Sequence, residues 1–147
     1  MRNVILALVA SAAVAAPAWA HHSFAMYDQT VTKTLTGKLT RYVPGANHAQ
    51  LLFVVVDNDG NPVMKDGKPM QFGVETGSAI AMARSGVTVK TMAEGSFITV
   101  RFYPLRDGRD FGALAGMLVT CGNAMPKGGC TPETGKRLIG ETFNAAQ

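Results

Sequence analysis

Beyond residue 20 the chain has no apolar run approaching the roughly 20 residues that a membrane-spanning helix needs. It also lacks Gly-x-Ser-x-Gly, a glycine-rich phosphate loop and Cys-x-x-Cys, so the common nucleophile, nucleotide and dithiol motifs are excluded. No two carboxylates stand at a spacing that suggests paired acid–base work, and no catalytic residue is assigned. The only tryptophan, Trp19, lies in the leader segment. Charge is scarce too: charged residues make up 16% of the chain and the formal net charge is +4. Loss of Arg2 with the leader would lower that by one, too mild a bias to draw nucleic acid or anionic lipid. Arg101, Phe102, Tyr103, Arg106 and Arg109 do mix basic and aromatic residues as single-strand-binding barrels do. Export removes that ligand, so no nucleic-acid partner is expected.

What is present begins with a secretory leader. Arg2 precedes the apolar stretch Val4–Ala16, and Pro17-Ala18-Trp19-Ala20 ends in a small-x-small cleavage pattern. The stretch is too short for an anchor, Pro17 interrupts it, and no cysteine stands at the cleavage point to take a lipid. Residues 1–20 are therefore expected to be a signal peptide. The mature protein, residues 21–147, is then one periplasmic or secreted domain without a transmembrane anchor.

The chain has two cysteines, Cys121 and Cys130, around a Gly- and Pro-containing loop. An even count in an exported protein argues for a disulfide that closes this C-terminal loop. Paired thiolate metal ligands are the alternative.

The mature segment reads as strands. Residues 31–43 are rich in Thr and β-branched residues, with a bend expected at Gly37. Residues 51–57 form a continuous apolar run, expected to be buried on both faces. Asp66-Gly67 marks a hairpin between residues 63–65 and 70–75. The period then changes. Ser78 suits a helix N-cap and Gly86 the position past a helix end, giving a helix of about two turns between them. Strands return at 97–103 and 111–120, the second twisted or bulged at its glycines, and a short one is expected at 136–139. One short helix between the third and fourth of five strands is the order of a small OB-like Greek-key barrel. An open β-sandwich is the alternative, which periodicity does not separate.

The chain resembles a family of small exported bacterial proteins known as domain of unknown function 6152. The matching features are Ala20-His21-His22-Ser23-Phe24-Ala25, Asp28, Leu35-Thr36-Gly37, Asn47-His48, Phe72-Gly73-Val74-Glu75 and Pro104 ahead of Asp107-Gly108. The resemblance covers most of residues 20–120 and implies export and a β-barrel-like fold, but no activity. The Cys121–Cys130 segment looks like an extension.

All three histidines, His21, His22 and His48, survive cleavage after Ala20. Cleavage would free an α-amine on His21. That amine, the His21 imidazole and a second imidazole make a three-nitrogen set that suits copper over zinc, with His22 or His48 as the further ligand. Met26 is a lesser candidate as a soft ligand. Asp28 either orients a metal-bound imidazole or caps the turn before the first strand. Glu75 is expected to answer the positive end of the helix. The expected function is a copper-binding module rather than an enzyme. The alternative is a metal-free accessory domain for an exported or inner-membrane partner.

Overall fold

The computed structural model describes residues 24–140. Its elements are β1 (Lys33–Val43), β2 (Gln50–Val55), β3 (Met64–Lys65), β4 (Lys68–Pro69), β5 (Gln71–Glu75), α1 (Ala79–Arg84), β6 (Phe97–Pro104), β7 (Phe111–Gly122) and β8 (Lys136–Ile139).

The main sheet runs β5-β2-β1-β6-β7-β8. It closes because β5 also pairs with β7, in parallel, through Gly73–Phe111, Val74–Gly112 and Glu75–Ala113. The result is a closed five-strand barrel with α1 between its third and fourth strands, the OB topology. This closure overturns the open-sandwich alternative. The strand β8 lies outside the ring, paired to the far half of β7.

The alternation of side chains explains the core. On β2, Leu51, Phe53 and Val55 point inward and are buried, while Gln50, Leu52 and Val54 face out and are only partly covered. The apolar run therefore does not mean burial on both faces; its outer residues line surface clefts. Inward residues of the other strands, Leu39, Val74, Val100, Phe102 and Leu118 among them, complete one cluster. Helix α1 contributes Met82, and the chain after it contributes Val87 and Met92. Ser78 Oγ accepts from the Ala81 N–H at 3.2 Å, and Gly86 follows with φ of 80°. Both ends of the helix thus carry the expected caps.

Two local expectations shift. The β1 irregularity falls between Leu39 and Arg41 rather than at Gly37, which pairs regularly on both sides. The Asp66-Gly67 turn is present, with φ of 52° and 75°, but it joins only the two-residue strands β3 and β4. The main partner of β5 is β2. The bulge expected in the last long strand lies opposite the Arg101–Phe102 step, where Gly116 takes φ of 75°.

Cys121 and Cys130 are joined in a disulfide, so neither is a free thiolate ligand. Cys130 is buried with Val56, Phe97 and Val119 in a second cluster. Thr99 ties this loop to the barrel: its Oγ1 donates to the Cys130 carbonyl and meets Thr36 Oγ1 at 2.8 Å. No helix of the described residues is long and apolar enough to cross a membrane. That and the disulfide are compatible with an exported protein.

Candidate functional site

His48 lies in the loop between β1 and β2, and hydrogen bonds to the segment after β5 hold that loop in place. Thr76 N–H donates to the Ala49 carbonyl at 2.8 Å, Ala49 N–H to Gly77 at 2.9 Å, and Ala79 N–H to Gly45 at 2.9 Å. Gly45 permits the tight path: a Cβ there would run into the His48 carbonyl. The loop therefore delivers His48 to the end of β5.

There, His48 Nδ1 stands 3.2 Å from the Thr76 carbonyl and 3.2 Å from Glu75 Oε1. A carbonyl only accepts, so Nδ1 carries the proton. In the neutral imidazole this leaves the lone pair on Nε2. The His48 side chain is 43% exposed, so the ring remains open to solvent on one side. An imidazole whose rear N–H donates to a carbonyl, with a carboxylate close beside it, is in the form in which histidine binds metals.

Glu75 does not act on the helix as expected. Helix α1 begins at Ala79, is capped by Ser78 and has no acidic residue in its first turn. The carboxylate instead sits on the end of a strand, where its second oxygen accepts from Tyr27 Oη at 3.3 Å. Tyr27 is buried, and burial together with the neighbouring carboxylate pushes its phenol up to about 12. Sequence reasoning passed over Tyr27, because a lone aromatic ahead of the first strand belongs to no periodic pattern.

The segment before β1 folds back onto the barrel. Tyr27 forms a bridge with Leu105, Asp28 N–H donates to the Pro104 carbonyl at 2.8 Å, and Arg106 N–H donates to the Met26 carbonyl at 2.9 Å. The ring of Phe24 meets Tyr27 edge-on at 6.0 Å. Phe24 also lines a cavity of about 130 Å³ together with His48, Glu75 and Thr76. The start of the described chain thus lies beside His48.

Asp28 Oδ1 accepts from the Thr30 hydroxyl at 2.6 Å and the Thr30 N–H at 3.1 Å, the geometry of a turn cap. These bonds hold its carboxyl below the usual range. Met26 is exposed and lines a neighbouring cavity that also reaches Glu75. Among the described residues, no group of three or more His, Cys, Asp or Glu is placed to hold a metal. His21 and His22, like the expected leader and its expected cleavage point, lie outside the described residues.

No curated protein and no solved structure matches the chain. One family model, described as a family of unknown function (DUF6152), matches residues 8–114. The chain belongs to that family.

Proposed function

We propose that this is an exported metal-binding module that holds copper through the α-amine and imidazole of His21, with His22 and His48 supplying further nitrogens. Glu75 and the Thr76 carbonyl would fix the His48 ring with Nε2 forward. A mature protein beginning at His21 would sequester the ion or present it to an exported or membrane partner. Zinc is the lesser candidate, because a nitrogen-only set with an N-terminal chelate favours the tetragonal geometry of Cu(II).

The observation that carries this reading is the shared cavity of Phe24 and His48. His21 stands three positions before Phe24, and three residues span at most about 10 Å. A tether that short would let the N-terminal nitrogens reach toward His48. The donors also fit the ion: neutral imidazoles, one already oriented from behind, and an amine that cleavage alone would free.

The test is the N-terminal mass of protein recovered from the periplasm, followed by Cu(II) titration of wild type and His48→Ala. A chain starting at His21, with one-to-one binding that weakens in the variant, is the expected result. A different start, or binding indifferent to His48, would overturn the reading and leave the metal-free accessory domain.

A further inference from the structure

The outer surface over β2, β5 and β7 has an order that the metal reading does not use. Strand register sets Leu52 beside Gly73 and Gly73 beside Phe111, so these three residues form one outward row. Gly73 carries no side chain, and the Phe111 ring leans into the space: a Cβ at Gly73 would strike that ring and meet Leu52 Cδ2 at 3.2 Å. An apolar strip results. Gln50 and Glu75 are paired along one side of it, Val54 and Gln71 along the other.

Two cavities flank Phe111, of about 360 and 310 Å³. Phe111 and Asp110 line both; Gln50 belongs to the first and Gln71 to the second. Each volume falls in the range of small-ligand clefts. The side-chain amides of Gln50 and Gln71 make no hydrogen bond among the described residues. The charged groups nearby are already engaged. Asp110 takes both its bonds from Lys65 Nζ, at 2.6 and 2.7 Å, Glu75 is held by Tyr27 and His48, and Arg109 Nε donates to Asp107.

We propose that this face binds neutral oligosaccharides, with Phe111 as the stacking residue and Gln50 and Gln71 as the hydroxyl-reading pair. A sugar ring has an apolar C–H face and an edge of hydroxyls that both donate and accept. The Phe111 strip suits the first, and carboxamides, which also donate and accept, suit the second. Barrels of this topology carry ligands on the corresponding strands. A single-stranded nucleic acid would need a run of cations along its path, whereas, among the described residues, Arg109 is the one basic residue lining these two cavities and stands there with Glu75 and Asp110. A peptide added as a strand would need an open sheet edge, but β5 and β7 pair with each other here.

The proposal is independent of copper, so it is tested on the exported protein kept metal-free with EDTA. The ¹⁵N-labelled protein is titrated with chitotetraose, with cellotetraose and with the peptide acetyl-Val-Thr-Val-Thr-amide. At least one saccharide should move the backbone amides of Leu52, Gly73 and Phe111 and the side-chain amides of Gln50 and Gln71. Phe111→Ala should weaken that binding about tenfold. The double variant Gln50→Ala/Gln71→Ala, which removes no core group, should also weaken it and decides the matter if Phe111→Ala misfolds. Silence with both saccharides, shifts elsewhere on the barrel, a response to the peptide alone, or binding unchanged in the glutamine variant would each overturn the proposal.

Discussion

Tyr27 Oη donates to Glu75 Oε2 across 3.3 Å, so a buried phenol ties the segment ahead of the barrel to the carboxylate that also faces His48. The burial of that phenol beside a carboxylate gives the protein a signature in alkali. The phenol is raised by burial and by Glu75 to about 12, against about 10 in an unfolded chain. The folded state keeps its proton where the unfolded state releases it. Stability is therefore complete below about pH 10 and falls as pH rises toward 12. Tyr27→Phe should lose most of that decline, while the unchanged Tyr42, also raised by burial, leaves a smaller slope in both proteins. Urea midpoints measured from pH 8 to 11.5 check this. Parallel curves for the two proteins would show that the Tyr27 phenol is not raised in the folded protein.

Glu75 is expected to act on metal affinity through His48 rather than as a ligand. Removing such a rear partner costs about 10–100-fold in affinity. Glu75→Gln keeps the size and should weaken Cu(II) binding within that range, while His48→Ala weakens it by at least as much. Imidazole ¹⁵N shifts of the metal-free proteins give a separate readout: the Nδ1–H form should dominate in wild type and lose ground in Glu75→Gln. Equal affinities and equal tautomer populations in both proteins would remove Glu75 from the site.

The Cys121–Cys130 bond closes a loop of sequence separation 9 against a small second cluster. Replacing both cysteines with serine should cost about 2–3 kcal/mol, chiefly by freeing the unfolded chain. The barrel should remain, because its main core lies elsewhere. Chemical denaturation of the two proteins under identical buffer gives the difference. A loss of all cooperative unfolding would mean that the loop is required for the barrel itself.

Thr99 reports on the same loop from the barrel side. Thr99→Val preserves shape but leaves the Cys130 carbonyl without its donor and Thr36 without its partner. The expected cost is about 1–3 kcal/mol. Because Thr99 and the disulfide hold one loop, the costs should not add: the triple variant should lose less than the sum of the separate losses. Additive losses within error would show that the hydroxyl and the disulfide act independently.

Local chemistry was readable from the chain. Asp66-Gly67 adopts the positive φ values that its residue types favour, and Ser78 and Gly86 bound the helix as their side chains suggest. The strand order and the short helix made the barrel readable as one of two choices. Periodicity alone did not separate that barrel from a sandwich, because the β5–β7 seam joins distant segments and leaves no periodic trace. Burial of β2 was overestimated because Leu52 and Val54 look like core residues, whereas they face outward. At the site, His48 was a candidate by composition alone. Its partners came from tertiary structure: Glu75 sits at a strand end rather than in the helix, and Tyr27 arrives from a segment with no regular pattern.

A closed barrel hides its strand edges only while its last joint holds. Here the joint is the three-residue parallel pairing of Gly73–Glu75 with Phe111–Ala113, overlaid by the Phe111 ring. If it opens, β5 and β7 each become an unprotected edge carrying free N–H and C=O groups, a template for pairing with another molecule. The glycine that makes room for Phe111 thus bears on colloidal behaviour as well as on shape. A bulkier residue at position 73 would push the ring outward and loosen the clasp, and self-association through the exposed edges would then compete with the monomer as concentration rises.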